Sequence, residues 1–245
     1  MISPVDKIVN KVEGLPDHWD KTATLRHRFT HTKGSTTLCV SVPPWRGRFY
    51  YDTFIKRRAQ KAGYSYLEFL VPQTLLYPDC DITDELCEMI RGRMIGEINH
   101  WKEKYGLEKI ELVGLSVGCV GAMLIANNNP SVSKIELVAP GNSLAESVWY
   151  GIRTVNFRRE LERRGMTLEF LMKHWKKLAP ENNLHGLEGK EISVYISKSD
   201  QIIPYRFGKK LVEKMHEKGL KPQVFVNKFL GHYGTVVRFL LWPRV

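Results

Sequence analysis

The chain has 245 residues, of which 43% are hydrophobic and 26% are charged, and its formal net charge is +11. This length fits one α/β domain, and the composition is that of a globular protein, not of a disordered or fibrous one. No stretch reaches the roughly 18 consecutive apolar residues that indicate a membrane span, and the charged N-terminal stretch does not resemble a secretory signal. We therefore expect a single domain over residues 1–245, without a membrane span, in the cytoplasm.

Apolar, β-branched runs alternate with amphipathic stretches along most of the chain. The runs predict strands over residues 37–42, 64–71, 109–113, 134–139, 191–196 and 222–227. The amphipathic stretches predict helices over residues 51–62, 84–105, 122–127 and 204–218. Strands that alternate with helices predict an α/β fold whose mostly parallel sheet is flanked by helices on both faces.

Residues 141–190 interrupt this alternation. About fifty residues separate two predicted strands there, several times the usual length of a connection. A helical stripe runs through the segment, formed by Leu168, Leu171, Met172, Trp175 and Leu178. The segment also carries aromatic side chains, namely Trp149, Tyr150, Phe157, Phe170 and Trp175, which belong either to its own core or to a cover over an acyl chain. We predict a small helical lid insertion here.

The same segment concentrates positive charge. Between Arg153 and Lys177, eight Lys and Arg residues accompany three Glu residues. Such a stretch forms either a solvated helical face or a surface that attracts an anionic substrate or anionic lipid at the membrane surface. No zinc finger, RNP motif or basic region with heptads accompanies it, so we expect no nucleic-acid partner.

The four cysteines are scattered, without the CxxC or Cys/His spacing of a metal site. Two of them lie in apolar runs, where a buried, reduced thiol is typical. The sequence therefore implies neither a metal nor an organic cofactor, and its cysteines agree with a reducing compartment.

One pentapeptide indicates a nucleophilic serine. Gly114-Leu115-Ser116-Val117-Gly118 directly follows the predicted strand 109–113, and small residues follow it where a helix must pack on that strand. The G-x-S-x-G pattern places a serine on a strand-to-helix turn too tight for side chains on either side, so that its hydroxyl stands above the sheet edge. Ser116 is therefore the candidate nucleophile.

A serine needs a base, and the base needs a carboxylate that holds its tautomer. Among the eight histidines, His232 is the one that follows the last predicted strand by a few residues, in a predicted loop. Asp200 follows the strand 191–196, although a helix cap for the stretch beginning near Pro204 is its alternative role. We predict a catalytic Ser116, Asp200 and His232.

The three motifs GLSVG, SKSDQIIP and GHYGT, in this order and on this strand pattern, resemble the α/β-hydrolase superfamily. The resemblance runs from about Thr37 to the C-terminus and is to compact esterases, lysophospholipases and serine-peptidase-like members. It implies an α/β-hydrolase fold, a Ser-His-Asp triad and an oxyanion hole that uses the amide of Val117. Members usually carry His-Gly or Pro-Gly after the strand equivalent to 37–42, whereas this chain has Pro43-Pro44-Trp45. Because proline has no N–H, the amide of Trp45 is the expected second donor to the oxyanion.

These residues predict a carboxylesterase-like serine hydrolase that cleaves a small-molecule ester or thioester through an acyl-enzyme. An acyltransferase or an acyl-CoA or lipid thioesterase on the same triad stays open, as does a binding protein without catalysis. The oligomeric state, the acyl chain length and the physiological substrate are not encoded in these motifs.

Overall fold

The computed structural model describes residues 25–44, 50–71, 76–127 and 129–241. Seven strands within these ranges form one sheet: β1 (Arg26–Thr30), β2 (Thr37–Val42), β3 (Ser65–Leu70), β4 (Lys109–Leu115), β5 (Val132–Val138), β6 (Glu191–Ser197) and β7 (Gln223–Asn227). Their order is β1-β3-β2-β4-β5-β6-β7, and β1 pairs antiparallel with β3 while every other pair is parallel. The predicted mostly parallel sheet is confirmed.

The helices within the described ranges are α1 (Tyr50–Lys61), α2 (Cys80–Tyr105), α3 (Gly118–Asn127), α4 (Leu144–Tyr150), α5 (Val155–Arg163), α6 (Leu168–His174), α7 (Tyr205–Glu217) and α8 (Gly231–Leu241). Two short 3₁₀ helices, Trp175–Leu178 and Pro180–Asn182, follow α6. In these ranges no helix combines the length and the apolar character that crossing a bilayer requires.

Helix α2 begins four residues before the predicted start. The cause is a side-chain cap, because Asp79 Oδ1 accepts hydrogen bonds from the amides of Asp81 at 3.1 Å and Ile82 at 3.3 Å. Such a cap satisfies amide groups that have no partner within the first turn. The left-handed Gly106, with φ 63°, ends the helix where the sequence predicts.

The central strands of the sheet are buried on both faces, which explains why their sequences are continuous apolar runs. On β4, Ile110 and Leu112 pack in one core cluster with side chains of α2, α3 and α7. Val113 and Leu115 point to the other face and pack in a cluster with α1 and α8. The sheet is thereby held rigidly between helices, and the loops at its carboxyl edge start from fixed positions.

Residues 141–190 contain α4, α5, α6 and the two 3₁₀ helices. Their side chains form a buried cluster together with Leu76 and Cys80 from outside the segment, and this cluster includes Phe157, Leu171, Trp175 and Leu178. Phe170 and Met172, in contrast, are 43% and 39% exposed. Of the predicted stripe, therefore, one side packs inward and Met172 faces solvent.

Candidate active site

Ser116 lies on the turn between β4 and α3 with φ 54°, a left-handed backbone conformation that is rare for a residue with a side chain. The turn is held on both sides, because the Ser116 amide donates to the Val138 carbonyl at 2.8 Å and the Ser116 carbonyl accepts from the Cys119 amide at 2.9 Å. Strained residues of this kind persist where the surrounding structure over-determines them, commonly at functional sites.

The two glycines of the pentapeptide allow this turn by close backbone approach. A Cβ on Gly118 would lie 2.3 Å from the carbonyl oxygen of Val42 and 2.4 Å from that of Pro43. A Cβ on Gly114 would lie 2.8 Å from Cys119 Cα. Helix α3 can therefore begin directly against the end of β2 only when position 118 has no side chain.

Asp200 follows β6 and is 6% exposed. Its Oδ2 lies 2.8 Å from His232 Nδ1, while its Oδ1 accepts from the amides of Ile202 at 2.9 Å and Ile203 at 3.0 Å. One carboxylate oxygen thus holds the turn before α7 and the other holds the histidine. Asp200 therefore does not cap α7, whose N-cap is Pro204 without a side-chain hydrogen bond, but holds the preceding turn and contacts His232.

His232 follows β7 and is 3% exposed. Its Nε2 lies 2.9 Å from Ser116 Oγ, which completes a continuous hydrogen-bonded chain from Asp200 to Ser116. The prediction that His232 lies in a loop is wrong, since it lies in the first turn of α8. The apolar positions of α8, among them Val236 and Phe239, pack on the sheet and explain why this segment is helical.

Three polar residues position His232 and were missed in the sequence. Asn227, at the end of β7, donates to Thr235 Oγ1 at 2.8 Å and accepts from the Leu230 amide at 3.1 Å. Ser197 Oγ and Ser199 Oγ both accept from the Gly231 amide, at 3.1 and 3.0 Å. The signal available in the sequence was a set of small polar side chains where β6 and β7 end, which is where side chain-to-backbone hydrogen bonds set loop geometry.

Of the two predicted oxyanion donors, one lies within the described residues. Val117 lies between Ser116 and the first residue of α3, so its amide is at a helix N-terminus, which carries partial positive charge. Trp45 lies outside the described residues. Pro44, just before it, lines the same cavity as Ser116.

A cavity of about 90 Å³ opens at Ser116 and His232. Much of its wall is apolar and includes Leu76, Leu144, Val148, Ile202 and Ile203. Polar side chains also reach it, among them Ser143, Ser147 and Arg153. None of the five aromatic residues of segment 141–190 singled out above lines this cavity, and Phe157 and Trp175 are instead fully buried in the core of the segment.

Most of the basic residues of the segment face away from this cavity. Four of the eight lie in ion pairs: Arg163 and Arg164 with Glu160, Arg158 with Glu162, and Lys177 with Asp84. Arg159, Lys173 and Lys176 are exposed, and Arg153 alone of the eight lines the cavity. The predicted basic stretch therefore divides into a mostly solvated face and a single arginine that lines the cavity.

Cys119 is the thiol closest in sequence to the nucleophile. It is 1% exposed, and its Sγ donates to the Gly114 carbonyl at 3.2 Å. Burial raises the pKa of this thiol, so that it stays protonated at neutral pH. Cys119 therefore lacks the exposure and the thiolate character of a reactive cysteine.

The described histidines other than His232 do not line the cavity; they are His27, His31, His100, His174, His185 and His216. His27 pairs with Glu97 at 3.3 Å and His174 with Asp81 at 3.1 Å. His18 lies outside the described residues. Across the described part of the chain, no group of three metal-ligating side chains comes together.

No family model and no curated protein sequence matches the chain, but solved structures do. Est1E from Butyrivibrio proteoclasticus, solved with ferulic acid bound, superimposes with a TM-score of 0.62 at 12% identity over 91% of this chain and 97% of that one. The acylaminoacyl peptidase of Pyrococcus horikoshii superimposes with a TM-score of 0.63 at 12% identity, over 89% of this chain and 40% of the peptidase.

A carboxylesterase of the thaumarchaeon Nitrososphaera gargenis superimposes with a TM-score of 0.55 at 13% identity, over 89% of this chain and 90% of the esterase. At such identities the similarity establishes the architecture. The sheet order, the helices on both faces and these superpositions agree: the chain has the fold of the α/β-hydrolase superfamily.

Proposed function

We propose that this protein is a serine hydrolase that cleaves a carboxylic ester or thioester through Ser116, His232 and Asp200. The observation that carries the proposal is the unbroken chain of contacts from Asp200 Oδ2 to His232 Nδ1 at 2.8 Å and from His232 Nε2 to Ser116 Oγ at 2.9 Å. The esterase names of the structural neighbours support ester cleavage.

The first half of the reaction forms the acyl-enzyme. With the Nδ1–H donated to Asp200, His232 Nε2 is the acceptor for the hydroxyl proton of Ser116 as its Oγ attacks the ester carbonyl. The carbonyl oxygen then carries the negative charge of the tetrahedral intermediate. When that intermediate collapses, His232 returns the proton to the leaving alcohol or thiol and Ser116 keeps the acyl group.

The second half repeats the sequence with water. His232 accepts a proton from water, the hydroxide oxygen attacks the acyl-enzyme carbonyl, and the proton passes back to Ser116 Oγ as the acid leaves. Asp200 keeps its charge throughout and stabilises the imidazolium form of His232. No step requires a metal ion or an organic cofactor.

The oxyanion requires donors that are in place before the reaction starts. We assign the Val117 amide to this role, since it follows the nucleophile at the start of α3, and the Trp45 amide as the second donor. Loss of one such donor typically costs about 10²–10³ in rate.

The helical segment 141–190 supplies part of the substrate cavity and, in this proposal, acts as its lid. Leu144, Val148 and Arg153 of that segment line the cavity together with Ser116 and His232. The cavity volume of about 90 Å³ favours a short acyl group. Longer chains would have to displace buried side chains such as Val148.

The test combines covalent labelling with turnover. Wild-type protein is expected to react with a fluorophosphonate probe at Ser116 and to hydrolyse 4-nitrophenyl esters. Ser116→Ala should lose the label and lower turnover by roughly 10⁶. The proposal fails if the alanine variant is labelled and turns over esters like wild type, and a wild-type protein that neither labels nor turns over would favour a binding protein.

Product analysis separates hydrolysis from acyl transfer. A hydrolase releases one free acid per alcohol formed even when glycerol or a primary amine is present, because water is the acceptor. Acylated glycerol or amine as the main product would instead assign the acyltransferase alternative. A thioester offered beside its oxygen ester tests the thioesterase alternative in the same assay.

We also propose a reducing, cytoplasmic location. All four cysteines are free, and three of them are buried. Proteins of oxidising compartments typically pair their cysteines in disulfides.

A further inference from the structure

A second cavity, of about 710 Å³, lies on the sheet face that α1 and α8 cover. We call it the α1 cavity, and its lining includes Phe54, Arg57, Arg58, Lys61, Glu111 and Lys134. It shares no described lining residue with the cavity at Ser116. Small-molecule pockets typically have volumes of roughly 300–1,000 Å³. The α1 cavity is therefore large enough for a ligand, and the proposed ester hydrolysis gives it no role.

The floor of the α1 cavity is charged, although the carboxyl half of the same sheet face is apolar. Glu111 and Lys134 are register partners near the start of β4 and β5. Further along β4, Val113 and Leu115 belong to the apolar cluster that includes side chains of α1 and α8. Burial raises the pKa of Glu111. Charged groups on the face of a central strand cost free energy, and in a cleft they are typical of a binding site.

Two of the cations that line the α1 cavity already have carboxylate partners. Arg58 forms an ion pair with Glu136. Lys134 Nζ lies 3.2 Å from Glu191 Oε1, and Lys134 also faces Glu111 across the strand pair. These groups neutralise one another and leave no net positive charge on the floor.

Arg57 and Lys61 are different. Within the described ranges neither has an ion pair or a hydrogen bond to a carboxylate, and both are exposed. They lie four positions apart on α1, so their side chains project from one face of the helix, with Cβ atoms about 5–6 Å apart. Like charges at this spacing destabilise a helix by about 0.2–0.5 kcal/mol. An anion between them would replace this repulsion by two attractions.

Apolar side chains accompany these two cations. Phe54 is 41% exposed and Leu241 is 50% exposed, and both line the α1 cavity together with Leu240. Phe54, Arg57 and Lys61 follow one another at spacings of three and four, which places them on one face of α1. A ligand that contacts all of these groups has one anionic head and an apolar body.

We propose that the α1 cavity binds an amphipathic organic anion, whose head lies between Arg57 and Lys61 and whose body packs on Phe54, Leu240 and Leu241. A carboxylate and a phosphate monoester share the required chemistry, because each accepts charge-assisted hydrogen bonds from a guanidinium and an ammonium group. This binding is independent of ester hydrolysis, since it uses no residue of the cavity at Ser116.

The test uses two fluorescent probes that share their rings and differ in charge. 1-Anilinonaphthalene-8-sulfonate is the anion, and N-phenyl-1-naphthylamine is its neutral counterpart. At low ionic strength, Arg57→Gln combined with Lys61→Gln should raise the Kd of the sulfonate about tenfold, the effect of one charged hydrogen-bonded pair of about 1.4 kcal/mol. The same double variant should leave the Kd of the neutral probe unchanged.

The matched control is Lys56→Gln combined with Arg159→Gln. It removes the same charge from α1 and from α5, and neither residue lines the α1 cavity. The Kd of the sulfonate should stay within twofold of the wild-type value. An increase equal to that of the first double variant would assign the effect to the net charge of the protein and overturn the inference.

The apolar part of the site is tested separately. Leu241→Ser should raise the Kd of both probes, because both carry the same rings. Val237→Ser is its control, since Val237 is 44% exposed on the same helix and does not line the α1 cavity. It should change neither Kd, and equal effects of the two serine variants would contradict the assigned position of the body.

A measurement on wild-type protein guards against a variant that fails to fold. Saturating sulfonate probe should slow amide hydrogen exchange in α1 and at the end of α8, because a ligand lowers the population of opened states. Exchange in segment 141–190 should not change. Protection of that segment alone would place the probe at the Ser116 cavity and overturn the inference.

Decanoate and decyl phosphate distinguish the two kinds of head. The one that displaces the sulfonate probe at the lower concentration carries the preferred head, and displacement by neither would overturn the inference. The absence of saturable sulfonate binding to wild type would overturn it as well. None of these measurements needs turnover, so Ser116→Ala should give the same Kd values, and failure of the proposed function would leave them unchanged.

Discussion

Asp200 divides its carboxylate between two tasks: Oδ2 lies 2.8 Å from His232 Nδ1, and Oδ1 accepts two backbone amides of the turn that leads to α7. The carboxylate is 6% exposed and the imidazole 3% exposed, so water competes little for either group. A carboxylate at this nitrogen favours the Nδ1–H tautomer of His232, and Nε2 lies 2.9 Å from Ser116 Oγ. The Asp200 carboxylate therefore fixes both the turn before α7 and the orientation of the His232 ring.

Asp200→Asn should leave the fold intact and lower kcat by about 10⁴, as the equivalent change does in serine proteases. The asparagine oxygen can still accept from the Ile202 and Ile203 amides, but its amino group forces the proton onto the wrong nitrogen of His232. Steady-state kinetics and thermal unfolding check the two parts. A variant within tenfold of wild-type kcat would contradict the assignment of Asp200.

Gly118→Ala should destabilise the protein by about 1–3 kcal/mol, the usual cost of overpacking, because the new Cβ would lie 2.3 Å from the Val42 carbonyl oxygen. Gly92→Ala is the matched control, since Gly92 lies inside α2 with nothing within 4 Å of the added Cβ. It should stabilise by about 0.5–1 kcal/mol. Urea unfolding of both variants measures the contrast, and equal midpoints would refute it.

A series of 4-nitrophenyl esters should show highest kcat/KM between acetate and pentanoate and a steep fall at octanoate and beyond. The cavity of about 90 Å³ is smaller than the roughly 150 Å³ that accommodates a benzene molecule.

Val120→Ala should move this optimum toward longer chains. Val120 lines both this cavity and a neighbouring one of about 50 Å³, so a smaller side chain would join the two. An optimum at dodecanoate in wild type would show that the cavity does not hold the acyl chain.

Iodoacetamide at pH 7.5 should neither alkylate the native protein rapidly nor inactivate it. Burial raises the pKa of Cys39 to about 12, of Cys80 to about 11 and of Cys87 to about 12, and it also raises the pKa of Cys119. At this pH the reactive thiolate is therefore a minor species at each position. Mass spectrometry should find all four thiols alkylated only after addition of urea, and fast inactivation of native protein would point to a catalytic thiol instead.

Glu111→Gln should stabilise the protein at pH 8, and the gain should shrink as the pH falls toward 4. Burial raises the pKa of Glu111 above its usual value, so the folded state binds its proton more tightly than the unfolded state does. Wild-type stability consequently falls as the pH rises through that range, whereas a glutamine does not titrate.

Free energies of unfolding at four pH values test the Glu111 prediction. Glu108→Gln, which removes a charge from an exposed position next to the same strand, serves as the control for net charge. A gain for Glu111→Gln that grows toward low pH would have the wrong sign and would refute the prediction.

Short-range patterns in the sequence were sufficient for most of the fold. The strand predicted over residues 37–42 has the same bounds in the structure, because a run of apolar residues buried on both faces is a local signal. The G-x-S-x-G pattern is a local signal as well, although the close approach that excludes a side chain at Gly118 is to the end of β2, far away in the sequence. The predicted helix boundaries were less accurate where a single capping side chain sets the end of the helix, as Asp79 does for α2.

The sequence by itself determined which residue types were available and in what order: a serine after β4, an aspartate after β6 and a histidine after β7. Only the tertiary structure decided that His232, 116 positions from Ser116 and 32 from Asp200, contacts both. It also decided that Arg153 is the member of the basic stretch 153–177 that lines the cavity. The physical reason is that periodicity and turn chemistry act over a few residues, whereas the direction of a side chain at the sheet edge depends on helices and loops that arrive from distant parts of the chain.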